Sequence, residues 1–202
     1  MRSRLAWILA VAILAGCRTV PVQQAPPASQ PWDVTRPELQ ARDHFELKGR
    51  VAVAAGKEGF NAGLHWTQQG TRSQLSLQGP LGAGGVQITT DGDNLSVVTA
   101  HGDHLDSDAA RAELASRLGF DPPLSRLRYW VLGVPDPATP AKETLDPQQQ
   151  RLQSLEQDGW QIDYGGYAPD GQGPTGSVWL PARMTVQRAG VRVRLIVDGW
   201  NS

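Results

Sequence analysis

One cysteine, Cys17, occurs in 202 residues, so an internal disulfide is excluded and its position offers no partners for metal or catalytic use of the thiol. Charge of one sign is missing as well. Nineteen Lys and Arg stand against twenty Asp and Glu, for a formal net charge of −1. Such a chain carries no broad field to gather nucleic acid or an anionic surface. No apolar run is long enough to span a bilayer as a helix. Catalytic patterns are thin: there is no Gly-x-Ser-x-Gly elbow, and Gly82-x-Gly84-Gly85 has the glycines of a phosphate loop without the Lys-Ser/Thr and helix that hold the anion. His101-x-x-His104, with Asp103 and Asp106, is the best metal candidate, but it falls in a short polar turn where histidines are ordinarily solvated. The expectation is no metal, no cofactor and no enzyme. No internal repeat points to a solenoid.

What is present begins at the N-terminus. Arg2 and Arg4 precede the apolar run Leu5–Leu14, followed by Ala15-Gly16-Cys17. This is the charged region, short apolar core and small-residue cleavage site of a secretory signal. Leu14-Ala15-Gly16-Cys17 also matches the bacterial lipobox, which implies a covalent N-acyl and S-diacylglycerol lipid on Cys17. Several acyl chains on one residue anchor firmly, at about 0.8 kcal/mol per buried methylene. Arg18, rather than an aspartate, follows the cysteine, and by resemblance to lipoprotein sorting in enteric bacteria this favours the outer membrane. Residues 1–16 read as signal, 17–35 as lipidated cysteine and tether rich in Pro, Gln, Ala and Ser, and 36–202 as the folded domain.

Within that domain the pattern is β. A short helix is expected over Pro37–His44, capped by Thr35. Phe45, Leu47, Val51 and Val53 then share one face, and Phe60, Ala62, Leu64 and Trp66 repeat the alternation. Leu75 and Leu77, Val86 and Ile88, and Leu95 and Val97 continue it. Period two with glycine-rich turns means an antiparallel meander with one buried face. Two helices interrupt: one after Asp106-Ser107-Asp108 with Ala110, Leu114 and Leu118 on a stripe, another opened by Pro122-Pro123 with Leu124, Leu127 and Val131. Pro135–Pro147 reads as a loop. Strands resume at Arg151–Gln157, Trp160–Tyr164, Met184–Val186 and Val191–Val197. The fold class is mainly β with inserted α: a curved or nearly closed antiparallel sheet, since a long meander must hide its edges.

Two features bear on function. Gly79-Pro80-Leu81-Gly82-Ala83-Gly84-Gly85 reads as a hairpin tip holding one large apolar residue, Leu81, which either folds back on the core or is held out to an apolar partner. Seven tryptophans are many for this length, and all but Trp7 lie beyond the signal. Trp66 and Trp160 sit on apolar strand faces and Trp130 beside a helix stripe. A bulky core and an apolar cavity under a helical cap both fit these residues.

Taken in order behind the lipobox, several motifs resemble the LolB family of outer-membrane lipoprotein receptors. They are Phe45-x-Leu47-x-Gly49-Arg50, Trp66-x-Gln68, Gly79-Pro80-Leu81-Gly82, Leu124-x-x-Leu127-x-x-Trp130-Val131-Leu132-Gly133, Gly159-Trp160 leading to Tyr164-Gly165-Gly166-Tyr167, Leu180-Pro181 and Trp200. The chain departs from the family at Gly79 and in the stretches 139–146 and 170–176. The resemblance implies an incomplete antiparallel barrel with helices as a lid over an apolar cavity. It implies a monomer that accepts acylated lipoprotein cargo from the periplasmic carrier LolA and inserts it into the inner leaflet of the outer membrane. Trp66, Trp130, Trp160 and Tyr164 would contact acyl chains, and Leu81 with Pro80 the membrane. The competing reading is a lipid-anchored binding module for another hydrophobic ligand or an envelope-assembly partner. A lipoprotein hydrolase would need a nucleophile with a base, which the sequence does not offer.

Overall fold

The computed structural model describes residues 30–80, 84–170 and 178–201. Its frame is one antiparallel sheet written by two meanders. The first comprises β1 (His44–Ala55), β2 (Glu58–Gln69), β3 (Arg72–Gln78), β4 (Gly85–Asp91), β5 (Asn94–Thr99) and the short β6 (His104–Asp106). Helices α2 (Ser107–Leu118) and α3 (Leu124–Val131) then cross to the opposite edge. From there β7 (Ala141–Asp146), β8 (Arg151–Gln157), β9 (Trp160–Pro169), β10 (Trp179–Arg188) and β11 (Val191–Asn201) step back inward until β11 pairs with β1. The strand order is β6-β5-β4-β3-β2-β1-β11-β10-β9-β8-β7. Edges therefore remain at β6 and β7, and the barrel is incomplete.

The period-two pattern is realised residue by residue. Along β1, Phe45, Leu47, Val51 and Val53 are buried while Lys48 and Arg50 are exposed. Hydrogen-bonded pairing keeps these buried residues on the concave side with Trp66 and Leu195 of the neighbouring strands. Phe45 packs against Trp66 and Trp200 with ring centroids 5.6 and 5.8 Å away, closing one end of the interior.

Two expectations are corrected. Pro135–Pro147 is not all loop: it contains β7, a strand whose polar Lys142, Glu143 and Thr144 hide its alternation. The first helix, α1 (Trp32–Ala41), begins before Pro37 and is preceded by Pro31, with no capping contact from Thr35. Tertiary contacts draw this segment into a helix. Trp32 Nε1 donates to a Glu143 carboxylate oxygen at 2.7 Å, and Arg36 pairs with the same carboxylate at 3.1 Å. The edge strand β7 is thus covered by α1, and α2 packs on β5 and β6 at the other edge. Helix α2 ends where Gly119 takes a left-handed conformation and its N–H bonds the Ala115 carbonyl at 2.9 Å. Among the described residues no helix is long and apolar enough to cross a membrane.

Candidate functional site

The concave face and the two helices enclose a void of about 120 Å³ whose lining is apolar throughout. The sheet contributes Val53, Leu64, Trp66, Trp160, Val186 and Val193 among others; Phe120, Leu124 and Leu127 close it from the helical side. Several of these, including Phe60, Leu77, Leu127 and Val193, are only half-buried although they face inward. A filled core would have buried them, so the interior is partly open. Between the two readings left by the sequence, the structure has the cavity.

The expected cavity residues separate into two groups. Trp66 and Trp160 line the void. Trp66 Nε1 donates to buried Gln68 at 3.3 Å, and Phe120 lies over Trp160 at 5.8 Å between ring centroids. Trp130 and Tyr164 do not line it. They hold the lid: the Tyr164 hydroxyl donates to the Trp130 carbonyl at 3.0 Å, and Trp130 Nε1 donates to Gln157 Oε1 at 2.8 Å. The polar handle of each ring sets this role, because a buried indole N–H or phenol must find a partner.

Gln157, whose part no motif signalled, is the centre of that attachment. Asp158 and Gly159 both have positive φ, +50° and +74°, as a two-residue hairpin of the Asp-Gly kind requires. The turn sets Gln157 opposite Trp160. Buried Gln157 also accepts from the Asp136 N–H at 3.1 Å and donates to the carbonyls of Asp136 and Thr139 at 2.8 and 3.0 Å. Replacing it by alanine strands several buried polar groups at once. A loss of about 3 kcal/mol is expected, since each unsatisfied group costs about 1–3 kcal/mol. The urea midpoint of Gln157→Ala checks this, and an unchanged midpoint would show that the amide is not what fastens the lid.

Burial pushes the phenols of Tyr164 and Tyr167 upward, Tyr164 strongly, and Arg151 only partly offsets this for Tyr167. The Tyr167 hydroxyl stays protonated and donates to the Leu152 carbonyl at 2.8 Å. A folded pKa above the unfolded one gives stability that is complete below about pH 10 and lost as pH rises further. In alkaline titration, two of the chain's three tyrosines should therefore form phenolate only as the fold opens, read as coincident phenolate absorbance and circular dichroism.

At the proposed membrane loop, the described residues are the stems. Gln78 pairs with Gly85, and the Gly79 N–H donates to the Gly84 carbonyl at 3.1 Å, so the hairpin holds to its last described pair. Pro80 is exposed. Leu81 lies outside the described residues, as does Cys17. His101 lies in the turn before β6 and His104 is the first residue of that strand, and among the described residues no cluster of three metal-ligating side chains occurs.

The family profile for outer membrane lipoprotein LolB matches residues 43–200. The chain belongs to the LolB family. It is 31% identical to the outer-membrane lipoprotein LolB of Nitrosococcus oceani over 201 residues, covering 96% of this chain and 94% of that relative. Against LolB of Pseudomonas fluorescens it is 31% identical over 195 residues, covering 94% and 91%. Its fold is shared with a LolA superfamily protein of Nitrosomonas europaea, at a TM-score of 0.51 and 12% identity, covering 86% of this chain and 94% of that one. This LolB-family chain is an outer-membrane lipoprotein receptor, held at that membrane by a lipid anchor.

Proposed function

We propose that this receptor takes acylated lipoprotein cargo from a LolA-like periplasmic carrier into its concave cavity and inserts it into the inner leaflet of the outer membrane. It acts as a monomer tethered through an N-acyl, S-diacylglyceryl Cys17, and makes and breaks no covalent bond. The observation that carries this reading is a void lined only by apolar side chains beneath a helical lid. Exposing three acyl chains to water would cost tens of kcal/mol, at about 0.8 kcal/mol per methylene. The receptor must shield them, yet more weakly than a bilayer does. Carrier, receptor and membrane then form a graded series of affinities, and transfer needs no nucleotide. Leu81, next to exposed Pro80, is the residue assigned to touch the membrane. One leucine contributes about 1.5–3 kcal/mol on burial, enough to orient a tethered domain and too little to anchor it.

The test uses the mature chain carrying Cys17→Ala, mixed with LolA loaded with acylated lipoprotein. Cargo should pass to the receptor without nucleotide. In the lipidated protein, Leu81→Glu should keep this uptake and lose delivery to liposomes. Failure of uptake by a folded receptor that still binds free lipid would favour a module for some other hydrophobic ligand.

A further inference from the structure

The cavity borders a second, charged groove of about 450 Å³, and the two share Pro122, Pro123, Leu124 and Trp160 as common walls. The groove brings together Arg111, Arg126 and Arg188 with Asp93, Asp121 and Asp158. Two of its arginines are engaged. Arg126 pairs with Asp158 at 2.5 Å and Asp136 at 3.8 Å, and Arg111 pairs with Asp121 at 3.4 Å. Arg188 differs. Its guanidinium lies over the Trp160 ring, 4.9 Å from the centroid, and among the described residues no carboxylate pairs with it.

Period two explains how an arginine comes to stand there. Met184 and Val186 face inward along β10, and Arg188 is the next residue of that face, at the strand's end. Gln187 pairs with Gln161, so Arg188 falls opposite Trp160, and its other neighbour is Val191. The concave face thus ends, at this rim, in a cation stacked on a cavity wall. Stacking occupies the face of the guanidinium and leaves its in-plane N–H donors free.

We propose that this groove seats the polar head of the acylated ligand, with Arg188 donating to the ester and amide carbonyls of the lipid-modified cysteine whose chains lie in the cavity. The inference rests on the functional reading above and deepens it. An acylated cysteine carries carbonyl oxygens at the root of every chain. Drawing the chains into an apolar void brings those oxygens to its mouth, where they lose water and require donors. A planar fork of N–H groups fixed at the rim supplies them, and through Trp160 it is positioned by the same ring that the chains touch.

The experiment compares two probes on the mature chain carrying Cys17→Ala: a synthetic peptide with an N-acyl, S-diacylglyceryl cysteine, and a fluorescent hydrocarbon probe without an ester or amide head. Arg188→Ala should weaken the lipopeptide about fivefold or more, from the loss of charge-assisted hydrogen bonds. The hydrocarbon probe and the melting temperature should not move. Arg188→Lys, which keeps charge but not the fork, should recover part of the loss. Equal weakening of both probes would reduce Arg188 to packing on Trp160 and overturn the proposal, as would lipopeptide binding indifferent to either substitution. A loss confined to anionic phospholipid, added in a third arm, would also overturn it by assigning the seat to a phosphate. If the unsubstituted receptor takes the hydrocarbon probe but no lipopeptide, the functional reading itself fails, an outcome separate from these.

Discussion

Gly49→Ala should destabilise the receptor by about 3 kcal/mol or more, a large share of the 5–15 kcal/mol that typically holds a domain together. A Cβ at position 49 would stand 2.4 Å from the Ile196 carbonyl oxygen and 3.2 Å from Val197 Cα. Both are backbone atoms, so no rotamer change relieves the clash. The position lies at the register shift between Lys48 and Gly49, where β1 meets β11. That pairing is the seam joining the outward meander to the returning one, so opening it separates the two halves of the interior. Gly63→Ala is the matched control: its Cβ meets only the Gln78 carbonyl oxygen, at 3.8 Å, and stability should stay within about 1 kcal/mol of the parent. Thermal unfolding followed by circular dichroism distinguishes the two. A Gly49→Ala protein that melts like the parent would mean that the seam yields by moving its strands apart at little cost.

Gly49 also shows which parts of this molecule its sequence made legible. As part of Phe45-x-Leu47-x-Gly49-Arg50 it stood out by resemblance, but its reason, an approach of backbone to backbone from a strand about 150 residues away, has no local signature. The alternating strands were readable because one face of the sheet is buried and the other wet, which writes period two into β1, β2 and β11. β7 was not, because an edge strand covered by α1 through Trp32 and Glu143 has polar residues on both faces. The tryptophans divide on the same principle. Apolar position alone could not separate Trp160, a wall of the void, from Trp130, a fastener of the lid, because both are large rings on apolar stripes. What separates them is where each indole N–H finds its acceptor, and Gln157, the acceptor for Trp130, is 27 residues along the chain. Arg188 was hidden for a similar reason. One exposed charged residue ending an apolar stripe has no local signature of a role until the register sets it against Trp160.

Val193→Trp should cut uptake of acylated cargo about fiftyfold while changing stability by about 1 kcal/mol or less. Val193 stands on the concave face between Val53 and Val186, half-buried and lining the void. An indole growing into empty, apolar space needs little rearrangement, which keeps the overpacking cost low. It also occupies the room of about three methylenes, and at about 0.8 kcal/mol each this is roughly 2.4 kcal/mol of lost burial for the ligand. Ile196→Trp, on the outer face of the same strand, adds the same ring where no cargo passes and should leave uptake unchanged. The contrast has force because the void is small. At about 120 Å³ it holds a guest of roughly benzene's size, and three acyl chains exceed that many times over. On the proposed function, uptake of whole chains then requires α2, α3 and the Phe120 linker to move away from the sheet, and the Gln157 attachment is the part of the lid expected to stay in place. If lid movement alone created all of the binding volume, Val193→Trp would be displaced with it and uptake would survive. A fiftyfold loss therefore means that the sheet side of the cavity, already formed, is where the chains come to rest. Survival of uptake would shift the binding surface to the lid.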